Sequence, residues 1–303
     1  MKFLILAGLL ALPLAAGAQT LPDPAPLSQM DLLARDIGRG IGQTALDARQ
    51  QGAFAGGFLA RGEVSPSGAQ DSTLSDRGLV TGWGFANGVT PFIGYAQGRS
   101  ELEDDLHEAR IRSYFLGAAY AGQRAGLRYG AAVFVGRTHN KLSSPGFATG
   151  SADHDGRLLG LSLRADRMLR QGMTPGTGLD LRVAADVIHH QTRDYALNGL
   201  QGRVDDRAST ATALHVELGA PMRHYGLALR PYAAWEAFGG QQDSFDYAKD
   251  GLSRPVEATD LLSGHRLALG LDLGGGAHPA ARIEARQDSG GALGLAVTAR
   301  YGF

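Results

Sequence analysis

From about Gln51 to the C-terminus, apolar side chains recur at every second position. Leu179, Leu181, Val183, Ala185 and Val187 are interleaved with Asp180, Arg182 and Asp186. Leu214, Val216 and Leu218 alternate with His215 and Glu217, and the leucines at 267, 269, 271 and 273 with Arg266 and Asp272. Ala281, Ile283 and Ala285 alternate with Arg282, Glu284 and Arg286. Successive side chains of an extended backbone point to opposite sides, so each segment reads as a strand with one apolar and one polar face. About twelve segments follow this rule, near 53–61, 79–87, 91–99, 109–121, 126–139, 157–168, 178–190, 207–220, 226–238, 261–273, 280–287 and 292–303. The fourth and fifth are the least regular, because around 110–120 both faces mix apolar and polar residues.

The gaps between segments alternate in length. Those at 88–90, 122–125, 169–177, 221–225 and 274–279 are short. Those at 62–78, 100–108, 140–156, 191–206 and 239–260 are long and polar. Tight turns at one end and long loops at the other are what a barrel crossing a membrane presents. The polar faces carry charges of both signs, which can pair across strands if they line a closed lumen. The candidate lumen charges are Asp180, Arg182, Asp186, Glu217, Arg266, Asp272, Arg282, Glu284 and Arg286. A soluble sandwich shows the same alternation, so this pattern does not decide between the two.

The final segment adds a distinction. Counting back from Phe303, the alternate positions are Tyr301, Ala299, Val297, Leu295 and Leu293, with small or polar residues between them. Aromatic rings sit well at a membrane–water interface. An edge strand of a soluble sheet is the alternative.

Upstream of the strands the period changes. Leu27, Met30, Leu33, Ile37 and Ile41 recur at helical spacing, and Ser28 with Asp31 forms a weak capping box. Gly38, Gly40 and Gly42 weaken this helix but make it slim. Its polar side offers Asp31, Arg35, Asp36, Arg39, Asp47 and Arg49. Residues 1–18 have the form of an export signal: Lys2, then an apolar run, then the small residues Ala16 and Ala18, with the mature chain starting at Gln19. The organisation expected is therefore a signal at 1–18, a linker and candidate pore helix at 19–50, and strands over 51–303.

The 303 residues include no cysteine, and 29 basic side chains balance 30 acidic ones. Neither a disulfide framework nor a nucleic-acid partner is expected. Past the signal no apolar run is long enough for a membrane-crossing helix, which leaves a closed barrel as the membrane solution. The fold class expected is all-β: a closed antiparallel transmembrane β-barrel of about twelve strands, with the N-terminal helix as a candidate plug for its lumen.

This arrangement, with its terminal Arg-Tyr-Gly-Phe, resembles the translocator domain of Gram-negative autotransporters over residues 27–303. The resemblance implies an outer-membrane location, a surround of outer-membrane lipid and a monomeric barrel. It also implies that Leu295, Val297, Tyr301 and Phe303 act as an assembly signal read by the barrel-assembly machinery. Two features of the family are not matched: only residues 19–26 precede the helix, and no asparagine pair for self-cleavage lies within it. The function expected is non-enzymatic: surface display, interaction or limited transport.

Outer-membrane lipid hydrolases, of phospholipase or lipid A deacylase class, are the alternative. The candidate histidines are His189 and His190, read as a polar pair at the outer rim, His265, and His215 beside Glu217, read as a lumen charge pair. None stands in a recognised catalytic motif. Glu101, Glu103, Asp104 and Asp105 match no calcium loop, and the glycines at 274–276 lack the lysine and helix of a phosphate cradle. No metal site and no cofactor are expected.

Overall fold

The computed structural model describes residues 25–47, 51–64, 71–103, 107–143, 151–173, 177–197, 202–225, 227–249, 252–256, 262–274 and 280–302. The expected export signal with Ala16, Ala18 and Gln19, together with Arg49, Asp104, Asp105 and Phe303, lies outside the described residues. One helix, α1 (Ala25–Asp47), precedes the strands β1 (Gly52–Val64), β2 (Ser72–Gly84), β3 (Val89–Leu102), β4 (Glu108–Arg124), β5 (Leu127–Ser143) and β6 (Ser151–Gln171). Then come β7 (Gly178–Thr192), β8 (Tyr195–Leu197), β9 (Gly202–Val204), β10 (Arg207–Gly219), β11 (Met222–His224) and β12 (Leu227–Gln242). The chain ends with β13 (Phe245–Lys249), β14 (Leu252–Val256), β15 (Gly264–Gly274), β16 (Ala280–Asp288) and β17 (Leu293–Gly302).

Twelve long strands, β1–β7, β10, β12 and β15–β17, pair antiparallel in sequence order. The sheet closes where β1 meets β17, with Phe54 opposite Gly302 and Gly62 opposite Gly294. The short strands β14, β13, β9 and β8 form a separate four-stranded sheet from the two longest external connections. At the other end the turns are tight. Between β4 and β5 only Ala125 and Gly126 intervene, with φ of 47° and 78°, the two left-handed residues of a type I′ hairpin.

The twelve expected segments are all present, but the boundaries move. The second strand was expected over 79–87; it spans Ser72–Gly84, and Asn87 lies in the following turn, where its side chain accepts a hydrogen bond from the Val89 amide. The outer halves of β5 and β6 reach 143 and back to 151, well inside the gap expected to be a loop. These outer halves carry charge on their exposed face, so hydrophobic alternation fades where the strand itself continues.

The outward face is a belt of bare apolar side chains. Ile93 is 61% exposed, Leu116 61% and Leu269 68%. Exposed apolar area this continuous marks contact with something other than water. At the tight-turn end the belt is edged by exposed aromatic residues: Trp83, Phe85, Tyr120, Tyr129, Tyr225 and Tyr301. An apolar band with an aromatic girdle is the signature of a transmembrane barrel. No helix among the described residues is long and apolar enough to cross a membrane.

Inside the barrel lies α1. Met30, Leu33, Ile37 and Ile41, the helical stripe, are at most 1% exposed. The three helix glycines are the places of closest approach to the wall. A Cβ on Gly38 would stand 2.7 Å from the Ile188 side chain, one on Gly40 2.5 Å from Phe58, and one on Gly42 would run into Ser162. Ala at these positions would be the better helix former, so contact with the wall, not helix propensity, accounts for glycine here.

Candidate functional site

The lumen wall has two unlike halves. On β1–β6 the inward positions are largely apolar, with Phe54, Phe58, Phe92, Phe115, Phe134 and Leu158 all buried. The apolar stripe of α1 packs on this arc; Leu33 and Ile37, for example, lie over Gly98 of β3. This explains the irregular fourth strand: Ile111 and Phe115 point in at the helix while Tyr114 and Leu116 point out, so both faces are apolar.

The other half, β7 through β16, is ionic. Glu217 is fully buried and meets three arginines, Arg182 at 3.2 Å together with Arg230 and Arg282. Arg230 also binds Asp180 at 2.6 Å and Asp272 at 3.0 Å. Arg282 reaches Asp272 at 3.4 Å and Glu284 at 3.1 Å, and Arg286 binds Glu284 at 2.5 Å. Tyr232 donates its hydroxyl to Glu284 at 2.8 Å. His215 bridges Glu217 at 3.1 Å and Glu236 at 2.9 Å, and Arg266 reaches Glu236 at 3.4 Å. Every candidate lumen charge named from the sequence except Asp186 therefore lies in one connected wall network. Each carboxylate has at least one cationic partner, the condition under which buried charge is tolerated.

The helix meets the wall at three levels. At its N-terminal end Asp31 accepts hydrogen bonds from Ser209 at 2.8 Å and Gln242 at 2.6 Å, and contacts His190 and Arg207, each at 3.1 Å. At mid-height Arg39 donates to Glu236 at 2.6 Å and reaches Asp186 at 3.4 Å, while Gln43 donates to Asp186 at 2.9 Å. At the C-terminal end Arg164 binds the Asp47 carboxylate at 2.7 Å and the Leu46 carbonyl at 2.8 Å, and Arg300 donates to the Asp47 carbonyl. Cations at a helix C-terminus satisfy its open carbonyls and oppose its dipole. The wall and rod thus pair at few points. Of the candidate lumen charges, only Asp186 bonds to the helix; the rest pair within the wall. Between α1 and the ionic half remains a cavity of about 120 Å³ lined by Asp36, Arg39, Gln43, Asp76 and Arg286, among others.

Sequence reasoning missed the partners of Asp31. Arg207 and Ser209 share the inward parity of His215 and Glu217 on β10, so alternation could have placed them. It also joined His189 and His190 as a rim pair. The structure separates them, because adjacent strand residues face opposite sides: His190 is buried against Asp31, whereas His189 faces outward and contacts Thr210 at 3.0 Å. Of the hydrolytic candidates, His190 lies between the Asp31 carboxylate at 3.1 Å and the Thr138 hydroxyl at 3.5 Å. Ser209 donates to Asp31, not to a histidine, and both ring nitrogens of His215 face carboxylates. Of the acidic loop, Glu101 pairs with Arg99. Among the described residues no group of three or more His, Cys, Asp or Glu could hold a metal ion.

A closed antiparallel barrel with a lipid-facing belt and a helix through its lumen defines the class: a transmembrane β-barrel of outer-membrane type. No protein-family model matches the chain, and no curated protein matches it either. Solved structures do. The chain is similar to the translocator domain of the autotransporter NalP from Neisseria meningitidis, with a TM-score of 0.62 at 15% identity over 91% of this chain and 97% of that one. It is similar to the β domain of the Bordetella autotransporter BrkA, with a TM-score of 0.56 at 20% identity over 83% and 99%. The transport unit of the autotransporter AIDA-I from Escherichia coli gives 0.55 at 12% identity over 92% and 99%. The fold is that of autotransporter translocator domains.

Proposed function

We propose that this protein is a non-enzymatic outer-membrane barrel of translocator type, which holds its own N-terminal helix in the lumen and presents the chain preceding it at the cell surface. One observation carries the reading: the direction of α1. Its C-terminal end, at Asp47, joins β1 at the tight-turn end, and its N-terminal end, at Asp31, is bound by residues near the long-loop ends of β7, β10 and β12. The chain therefore enters the barrel from the side of its long loops. With those loops external, as in barrels of this type, the N-terminal end of α1 faces the cell surface. The filled lumen supports only limited passage of solutes.

Leu295, Val297 and Tyr301, with the terminal Phe303, are proposed as the strand that the barrel-assembly machinery reads. Leu295 and Tyr301 are bare on the lipid-facing side of β17, where a partner can contact them. The non-enzymatic part is supported by the contacts of His190 and His215 with carboxylates; release of fatty acid from phospholipid or lipid A by the purified barrel would overturn it.

The display reading is tested with an epitope placed directly before Ala25. Antibody is expected to label it on intact cells, and added protease to remove it without breaching the barrel. Labelling only after the outer membrane is permeabilised would contradict the proposal.

A further inference from the structure

The outward face is uniform in its apolar belt but not above it. On each of six consecutive strands the first charged side chain on the long-loop side of the belt is arginine: Arg61 on β1, Arg77 on β2, Arg99 on β3, Arg112 on β4, Arg137 on β5 and Arg157 on β6. All six are exposed. Cross-strand pairing puts several side by side, with Arg137 directly opposite Arg157, and Gln97 between Arg77 and Arg112. Acidic residues on these strands, such as Glu63, Glu101 and Asp153, lie farther from the belt. At that level β7, β10, β15 and β16 present His189, Gln191, Thr210, Thr212, His265 and Gln287 outward, and the next outward charge, just past the end of β7, is Arg193.

Like charges side by side repel one another, and a neighbouring anion relieves that repulsion. Among the described residues only two of the six have a carboxylate partner. Arg99 binds Glu108 at 2.9 Å and Arg137 binds Asp155 at 2.5 Å, whereas Arg61, Arg112 and Arg157 form no ion pair among the described residues. Six adjacent strands spread the arc over roughly 24 Å. Under part of it lies an outer-face groove of about 570 Å³. Its apolar side is Leu59, Leu295 and Val297, and its polar side is Arg61, Arg77 and Arg112. A groove that is greasy toward the belt and cationic beyond it matches a molecule with acyl chains and a phosphate headgroup. Guanidinium is the side chain best suited to phosphate, which it binds through two parallel hydrogen bonds.

We infer that the arginine arc on β1–β6 binds phosphate-bearing lipid of the leaflet at the long-loop end, fixing which flank of the barrel faces anionic headgroups. The inference goes beyond surface display and rests only on the barrel's being membrane-embedded, so failure of the epitope test leaves it standing.

The test uses the full-length folded barrel in dodecyl maltoside, titrated with diphosphoryl lipid A or with phosphatidylcholine and read by native mass spectrometry. Lipid A is expected to be retained in preference to phosphatidylcholine. The Arg77→Gln/Arg112→Gln/Arg137→Gln/Arg157→Gln variant, checked for heat-dependent migration as evidence of folding, is expected to bind it at least about ten-fold more weakly. Thr212→Gln with Gln287→Ala, on the other flank, is expected to bind as the parent does. Should the quadruple variant fail to fold, Arg112→Gln alone and a salt titration of the parent decide, since binding to exposed arginines must weaken as salt rises. Equal retention by parent and variant, or salt-independent binding, overturns the proposal. So does binding of inositol hexakisphosphate, which lacks acyl chains, as tightly as lipid A; the arc would then be a site for soluble polyanions.

Discussion

Removing residues 27–49 behind an intact export signal is expected to raise single-channel conductance in planar bilayers several-fold. A twelve-stranded barrel encloses more space than inward side chains fill. Here the difference is made up by α1, whose apolar stripe covers the aromatic arc of β1–β6. With the helix in place, a cavity of about 120 Å³ remains beside it, lined by Arg39 and its partners Asp186 and Glu236 among others. Without it, Phe58, Phe115 and Phe134 would face water and the ionic wall would line an open path. The wall keeps its charge balance when the helix leaves, because most of its pairs are internal, so the empty barrel should still fold. Equal conductance with and without the segment would place the helix elsewhere.

The second large effect is expected from Glu217→Ala. Glu217 is the shared counter-ion of Arg182, Arg230 and Arg282 and a hydrogen-bond partner of His215. Removing it leaves three guanidinium groups crowded around a void. Breaking a buried pair in this way costs about 3–5 kcal/mol, far more than an exposed pair would. The temperature at which the folded gel band converts to the unfolded one should fall clearly. Glu217→Gln, which keeps the shape and one acceptor, should fall less. By contrast Asp155→Asn, which breaks only the exposed Arg137 pair, should leave that temperature nearly unchanged. If Glu217→Ala and Asp155→Asn behaved alike, the network would be dispensable.

How much of this was readable in the chain depends on which environment each face meets. The leucines of β15 lie against lipid and Arg266 and Asp272 inside, so polarity and parity coincide and the strand is plain from sequence. In β4 both environments are apolar, lipid outside and helix inside, and the period of two disappears from the hydrophobicity pattern. At the outer halves of β2, β5 and β6 the exposed face is polar or charged, so the strand looks like a loop. The Asp31 node was hidden for another reason. Its members come from α1, β7, β10 and β12, up to 211 positions apart, and no local spacing links them. The glycines at 38, 40 and 42 read as a slim rod, but their partners Ile188, Phe58 and Ser162 emerged only from the packing.

The central claim, that α1 threads the closed barrel, has a direct chemical test. The chain has no cysteine, so an introduced pair reports without background. Gly38, on the helix, faces Ile188, on β7; a Cβ at 38 would stand 2.8 Å and 3.0 Å from the two γ-carbons of Ile188. Those are positions a cysteine sulfur can take, at a separation that suits a disulfide. Gly38→Cys combined with Ile188→Cys, in barrels assembled in the outer membrane, should oxidise to a single species whose gel migration changes on reduction, while each single variant shows no shift. Two free thiols in the double variant, alkylated as readily as in the single ones, would contradict the account.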